Sequence, residues 1–181
     1  YGGMGYVEET GVAQYLRDAR IAPIYAGTNG IQALDLTLKK IHIDEGKIVN
    51  NLFDEMISVS NELNKSDILS KLTESYQFHI KNLMESTEKV RKLMINGNQK
   101  SISGFASPYT KMFGQVLGGY YMAKAAVIAD KKYKETGEEY YKDKITLSKF
   151  YIEQLLPLSV TNMPPIDSDI DDLFMINREN F

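Results

Sequence analysis

The residues with the clearest potential for chemistry are Gly27, Thr28, Asn29 and Gly30, which stand together at the predicted start of a helix. Thr28 or Asn29 can cap that helix, and the glycines free the backbone where the chain turns. The first N–H groups of an α-helix have no acceptor within the helix, so they point together toward a ligand placed there. The stretch therefore suits an anionic or carbonyl-bearing ligand, although an ordinary helix corner is the alternative interpretation.

A second glycine-rich segment, Tyr1-Gly-Gly-Met-Gly-Tyr6, opens the chain. Its glycines permit backbone torsions that a Cβ atom forbids, and they let a ligand lie close to the main chain. Two further motifs follow in order, Arg17-Asp-Ala-Arg-Ile21 and Ile24-Tyr-Ala-Gly-Thr-Asn-Gly-Ile-Gln32. This succession resembles the C-terminal end of the acyl-CoA dehydrogenases, and the resemblance covers residues 1–42.

The resemblance implies an FAD-dependent enzyme that oxidises an acyl-CoA thioester between its α and β carbons and passes electrons to electron-transferring flavoprotein. It implies that Gly27 lines the acyl-CoA site and that Thr28, Asn29 and Gly30 contact FAD. A helix cap is the structural alternative for these four residues, because Thr28 or Asn29 would make one without any ligand.

The resemblance also assigns Gly2 and Gly3 to the pair of glycines that touches the FAD of a neighbouring subunit. A homo-oligomer, either a dimer or a tetramer, is therefore expected.

Ala26 is the main departure from the family pattern, since most members have at this position the glutamate that removes the substrate α-proton. A methyl group cannot accept a proton, so this chain has no catalytic residue at the usual place. Three explanations stay open. The base can be relocated to an earlier helix, the activity can be lost in a binding or assembly module, or the position can be altered in a degenerate or engineered copy.

The second half carries a separate resemblance, in Tyr109-x-x-Met-Phe-Gly-x-x-x-Gly-Gly119 and in Leu147-Ser-Lys-Phe-Tyr-x-Glu-Gln-Leu-Leu-Pro157. This pattern is similar to the extra C-terminal domain of a larger acyl-CoA dehydrogenase subgroup that includes methylthiopropionyl-CoA dehydrogenases. We therefore expect residues 1–42 to end one helical domain and residues 43–163 to form the extra bundle. Residues 164–181, with two prolines and several aspartates, are expected to be an extended tail.

Apolar residues at spacings of three and four predict an all-α fold that ends in a bundle of about four long helices. The predicted helices are 8–22, with Pro23 as its end, 31–41, 48–63, the segment between Ser66 and Gly97, a helix capped at Ser107-Pro108, and 140–156. Residues 42–47 are a predicted hinge. His79 lies on an apolar stripe and is expected to be buried, neutral and hydrogen-bonded.

Glycine and alanine recur on one predicted helix, at Gly114, Gly118, Gly119 and Ala123. Each glycine inside a helix costs about 1 kcal/mol relative to alanine, so another helix should approach closely there. This surface supports a second functional hypothesis, a catalytically inactive helical module that assembles a dimer or tetramer.

Composition excludes several other classes of function. The net charge of −3 and the isoelectric point near 5.5 provide no basic surface for nucleic acid. With no cysteine and two histidines, neither a disulfide framework nor a thiolate or histidine-rich metal site is expected. No apolar run is long enough to cross a bilayer and no signal peptide is present, which predicts a soluble, cytoplasmic protein. Because Tyr1 stands inside a motif, we expect the chain to end a longer protein and to be inactive alone.

Overall fold

The computed structural model describes residues 1–25, 27–168, 175–177 and 179, and over these ranges the chain is helical without a β-strand. Within these described ranges, seven α-helices succeed one another: α1 Val12–Tyr25, α2 Asn29–Leu38, α3 Lys47–Asn64, α4 Thr73–Ile95, α5 Gln99–Thr136, α6 Glu139–Phe150 and α7 Met163–Asp167. Within the described ranges, no helix combines the length and the apolar composition that a membrane crossing requires. The predicted all-α fold is confirmed.

Helices α3 and α4 form the antiparallel hairpin that their apolar stripes predict. The Tyr76 hydroxyl donates to the Met56 carbonyl oxygen at 3.3 Å, and the Gln77 side chain donates to the Ser60 hydroxyl at 2.6 Å. The 38-residue helix α5 packs against α2, α3, α4 and α6 and so forms the centre of the bundle. One hydrophobic core results, to which α3, α4, α5 and α6 all contribute side chains.

The start of α5 corrects the prediction that Ser107 caps a helix and that Pro108 begins it. Asn98 is the cap, because its side chain accepts from the Ser101 backbone N–H at 3.3 Å and from the Ser101 hydroxyl at 2.7 Å. Pro108 lies inside the helix. A proline there costs about 3 kcal/mol, whereas burying the preceding Ile102 and Phe105 side chains contributes about 1.5–3 kcal/mol each. Burial therefore outweighs the cost of proline.

The ends of α1 also differ from the prediction. Gly11, at φ 71°, separates a short 3₁₀ turn from the helix, so α1 begins at Val12 instead of Glu8. The helix continues past Pro23 to Tyr25. A proline this close to a helix end removes one hydrogen bond, and the residues around it are exposed, so water can bond to the carbonyl left without its partner.

The C-terminal part of the bundle departs from a simple helix ended by Pro157. After α6, a π-helical turn spans Tyr151–Leu155 and a 3₁₀ segment spans Leu156–Asn162, so Pro157 lies inside the second of these. The first residues of the expected tail, 164–167, are instead part of α7, Met163–Asp167, and Ile166 within it is fully buried. Residues 169–174, 178, 180 and 181 of the expected tail lie outside the described residues.

The close helix packing predicted at the glycines of α5 is found within this chain. The ring of Tyr151 lies against Gly118, and the side chain of Leu156 lies against Gly119. The Tyr151 hydroxyl also donates to the Gln115 carbonyl oxygen at 3.0 Å. These glycines therefore allow the chain after α6 to pack onto α5.

His79 confirms the expectation of a buried, hydrogen-bonded histidine. It is 3% exposed, and its Nδ1 atom lies 2.9 Å from the Ser159 hydroxyl oxygen. Burial lowers the pKa of this imidazole below its usual 6.5, which favours the neutral form.

Candidate functional site

The loop between α1 and α2 has the geometry of a capped helix start. Thr28 has an extended backbone, with φ −63° and ψ 157°, and its hydroxyl oxygen accepts from the Ile31 N–H at 3.3 Å. The Thr28 carbonyl oxygen then accepts from the Gln32 N–H at 3.0 Å. Of the two predicted caps, Thr28 is therefore the residue that caps α2, and Asn29 is the first residue of that helix.

Gly27 has a left-handed backbone, with φ 101°. A Cβ atom at this position would also lie 3.2 Å from the Gln32 side-chain nitrogen and 3.6 Å from a methyl carbon of Ile31. Both the torsion and the close neighbours therefore favour glycine.

The N–H groups of Asn29 and Gly30 belong to the first turn of α2, where an α-helix supplies no acceptor. Both residues are exposed. The aligned peptide dipoles place a partial positive charge at this helix end. The loop can therefore hold an anionic or carbonyl oxygen with backbone groups alone. Ala26 lies outside the described residues, so its position relative to this loop is not part of the site's geometry.

Gly2 and Gly3 lie in a 3₁₀ turn, Gly2–Tyr6, before α1. Gly2 has φ 53°, and, apart from its adjoining chain neighbours, no described residue has a heavy atom within 4 Å of a Cβ atom built at either glycine. The main chain there is open to close approach by another molecule, as a flavin contact requires.

The two glycine-containing segments stay apart within one chain. The Arg17 guanidinium, in α1, binds the Glu8 carboxylate at 2.7 Å and so ties the segment before α1 to the first half of that helix. The loop at Gly27 follows the other end of the helix. Since α1 has 14 residues, it is about 21 Å long. The structure therefore gathers Gly27, Thr28, Asn29 and Gly30 at one place and puts Gly2 and Gly3 at another.

The predicted apolar face of α1 is uncovered, as no residue of this helix is buried. Tyr15 and Leu16, which belong to that face, are 78% and 75% exposed. Tyr25 at the end of α1 is 86% exposed. An apolar surface of this kind is typical of an interface with another protein surface.

A cleft of about 470 Å³ between α2, α3 and α5 was not predicted from the sequence. Leu36, Ile41 and Phe113 are among its apolar lining residues, and Lys40 and Glu55 are its charged ones. Lys40 lies 3.0 Å from a carboxylate oxygen of Asp35, and its hydrogen bond lowers the pKa of that carboxyl group. Glu55 accepts from the Tyr120 hydroxyl at 2.9 Å. Both charged groups of the cleft thus have partners in the protein.

Comparison with known proteins supplies the family. A family described as "Acetyl-CoA dehydrogenase C-terminal like" matches residues 51–175, and one described as "Acyl-CoA dehydrogenase, C-terminal domain" matches residues 1–39. The chain belongs to the acyl-CoA dehydrogenase family. The first match contains most of the bundle, and the second contains both glycine segments, which confirms the predicted resemblance to C-terminal portions of these enzymes.

Several curated acyl-CoA dehydrogenases are similar to this chain over most of its length. The 3-methylmercaptopropionyl-CoA dehydrogenase of Ruegeria pomeroyi is 30% identical over 164 residues, which are 86% of this chain and 27% of that protein. A butyryl-CoA dehydrogenase of Syntrophomonas wolfei is 25% identical over 86% of this chain and 26% of its own length. A broad-specificity linear acyl-CoA dehydrogenase of Mycobacterium tuberculosis is 24% identical over 99% of this chain and 31% of its own length. The chain thus spans about a quarter to a third of these relatives.

Proposed function

We propose that this chain is the C-terminal part of an FAD-dependent acyl-CoA dehydrogenase and contributes contacts to flavin and to acyl-CoA. The observation that carries the proposal is the exposed loop 27–30, whose backbone N–H groups lie at the start of α2 inside a family-matched segment. Bound FAD would accept the hydride from the β carbon of the thioester. The relatives are named for different acyl-CoA substrates, so the acyl-chain length is left open.

We assign Thr28, Asn29 and Gly30 to FAD and Gly27 to the acyl-CoA thioester. Thr28 fixes the start of α2, which holds the N–H groups of the next two residues in place for an oxygen of the ligand. The left-handed torsion of Gly27 turns the chain sharply just before that helix start. These residues bind and orient, and none of them moves a proton.

The assignment of Gly2 and Gly3 to a second flavin supports a homo-oligomer, either a dimer or a tetramer. About 21 Å of α1 lies between these glycines and the loop at 27–30, so one flavin isoalloxazine ring cannot contact both through one chain. A neighbouring subunit can supply the missing contact. Transfer of electrons to electron-transferring flavoprotein is part of the same proposal.

The proton-accepting group is not assigned, because Ala26 has no group that can accept a proton. Relocation of the base to another helix and loss of the activity remain the two leading explanations.

Flavin content of the full-length protein tests the proposal. Purified protein should be yellow, with the absorbance bands of an oxidised flavin, and a colourless preparation that stays apo after incubation with FAD would contradict it. Gly3→Val sharpens the test, because this chain leaves open space beside Gly3 and its φ is not left-handed. We expect this variant to keep its helicity and lose flavin. The control is Gly114→Ala, at a glycine that also faces open space but lies in the bundle.

The uncovered face of α1 favours a second candidate function, a helical assembly module without activity. In that case the isolated chain should self-associate through Tyr15 and Leu16, which are highly exposed. A strict monomer in sedimentation equilibrium at high concentration would contradict the module. The glycines of α5 give it less support than expected, because Gly118 and Gly119 contact side chains of the same chain.

A further inference from the structure

The segment that joins the two family-matched regions, residues 40–50, contains an unusual backbone. Asp44 and Glu45 have φ values of 52° and 55°, and they are followed by Gly46 at 82°, so the left-handed conformation persists over three residues. Among the described residues, Asp44 and Glu45 are the two non-glycine residues with positive φ. Each non-glycine residue in the left-handed conformation lowers the equilibrium constant for forming the turn by about 5- to 30-fold. Other contacts must therefore hold the turn in place.

Arg91 of α4 provides such a contact from the other side of the junction. Its Nη2 atom donates to the Glu45 carbonyl oxygen at 2.5 Å, across 46 residues of sequence. The guanidinium also lies directly on Gly46, where any Cβ atom would overlap it. The Arg91 side chain is 22% exposed, and it lies 3.7 Å from the carboxylate of Glu88 on the same helix.

The other side-chain polar contacts at residues 42–47 are local. Lys47 lies 3.4 Å from the Asp44 carboxylate, and both side chains are more than half exposed, so this ion pair contributes little. His42 Nε2 lies 2.9 Å from the Thr37 carbonyl oxygen, which ties the segment to the end of α2. Neither contact reaches the part of the bundle to which Arg91 belongs.

We propose that Arg91 is a latch that holds the left-handed turn at Asp44, Glu45 and Gly46 and so fixes the junction between the two family-matched regions. Ile41 and Val49 flank this turn, are 2% and 6% exposed, and line the 470 Å³ cleft. Release of the turn would therefore move a wall of that cleft. The latch goes beyond the proposed enzymatic function and does not depend on flavin binding.

Amide hydrogen exchange of the full chain tests the latch. The Lys47 N–H donates to the Asp44 carbonyl oxygen and reports directly on the turn. In Arg91→Ala we expect amide exchange at residues 43–47 to accelerate by about 5- to 30-fold. This factor is the conformational cost of one left-handed residue, which the Arg91 contact is proposed to offset. Lys92→Ala is the matched control, since Lys92 follows Arg91 on α4 and lies 3.8 Å from the same Glu88. It should leave the exchange at 43–47 unchanged.

A second substitution separates the latch from a general loss of stability. Glycine accepts the left-handed conformation, and the Glu45 side chain is exposed, so Glu45→Gly should slow exchange in this segment. In the Glu45→Gly background, Arg91→Ala should accelerate exchange by about the same factor as in the wild-type chain, because the bond that Arg91 donates ends on the backbone carbonyl, which this substitution keeps. No acceleration at residues 43–47 in Arg91→Ala, or an equal acceleration throughout the buried parts of α3 and α4, would overturn the proposal. If Arg91→Ala does not fold, Arg91→Lys replaces it with the same expected pattern, because lysine lacks the planar fork.

Discussion

Gly114 and Gly118, one helical turn apart on α5, should respond in opposite ways to the same substitution. A Cβ atom at Gly114 meets open space, whereas one at Gly118 would overlap the Tyr151 hydroxyl and lie 2.9 Å from its ring carbon Cζ. Alanine is better than glycine in a helix by about 1 kcal/mol, and this gain applies to both positions. Gly114→Ala should therefore stabilise the chain by about 1 kcal/mol.

At Gly118 the same gain is opposed by two costs. Overpacking typically costs about 1–3 kcal/mol, and displacement of Tyr151 breaks its hydrogen bond to the Gln115 carbonyl oxygen, which contributes about 0.5–1.5 kcal/mol. The costs exceed the gain, so Gly118→Ala should destabilise the chain by about 0.5–3.5 kcal/mol. The two variants should thus differ by about 1.5–4.5 kcal/mol in free energy of unfolding.

Urea unfolding followed by circular dichroism measures this difference, provided that the dependence of the unfolding free energy on urea is the same for all variants. Adding Tyr151→Phe to Gly118→Ala removes the overlapping hydroxyl and should recover part of the loss. If Gly118→Ala were as stable as Gly114→Ala, the packing of Tyr151 on α5 would be wrong.

Three further predictions concern the loop and the buried histidine. If the full-length protein binds flavin but lacks a base, Ala26→Glu should raise its dehydrogenase activity by about 10²–10⁴-fold. If the base is relocated, the same substitution should lower the activity. Straight-chain and branched acyl-CoA substrates should be assayed side by side. Thr28→Ala removes the acceptor of the Ile31 N–H and should lower the unfolding free energy by about 1 kcal/mol, while Thr28→Ser should retain it, as thermal unfolding can show. Burial lowers the pKa of His79 in the folded state, so the unfolded chain takes up the proton first as pH falls. Stability should therefore be constant above about pH 6.5 and decline below it, and His79→Gln should decline less between pH 7.5 and 5.5; an equal decline in both proteins would contradict this linkage.

The α3–α4 hairpin shows what the spacing of apolar residues can predict. Apolar residues at every third or fourth position fix which face of each helix is buried, and Met56, Tyr76 and Leu83 are indeed fully buried. A cap at Thr28 or Asn29 was also predictable, because a polar side chain at a helix start can satisfy a nearby N–H within the same short segment, and the structure selected Thr28. Both features depend on local sequence alone.

Proline was a less dependable signal than periodicity. Pro23 and Pro108 both lie inside helices, where the sequence indicated an end and a start. The local cost of proline is fixed at about 3 kcal/mol, but the compensation depends on what the rest of the helix buries. For α5 that compensation comes from Ile102 and Phe105, which the sequence analysis had not assigned to the helix.

The candidate site was predicted as residue types and not as an arrangement. Sequence resemblance named Gly2, Gly3, Gly27, Thr28, Asn29 and Gly30 together. The helix predicted at 8–22 already separates the two glycine pairs along the chain, and the structure shows that about 21 Å of helix lies between them. The segment at residues 42–47 was predicted as a hinge, and aspartate is a residue type that tolerates a left-handed backbone, but Glu45 carries no such signal.

The sequence by itself thus determined the helical class, most of the buried face of the long helices, a cap at Thr28 or Asn29 and the family, because each of these depends on neighbours within a few residues or on a linear motif. Tertiary structure decided which distant groups meet. Arg91 reaches Glu45, Tyr151 lies on Gly118, and His79 bonds to Ser159. Such pairs depend on the relative placement and register of packed helices, which a large set of weak contacts fixes collectively and no local pattern encodes.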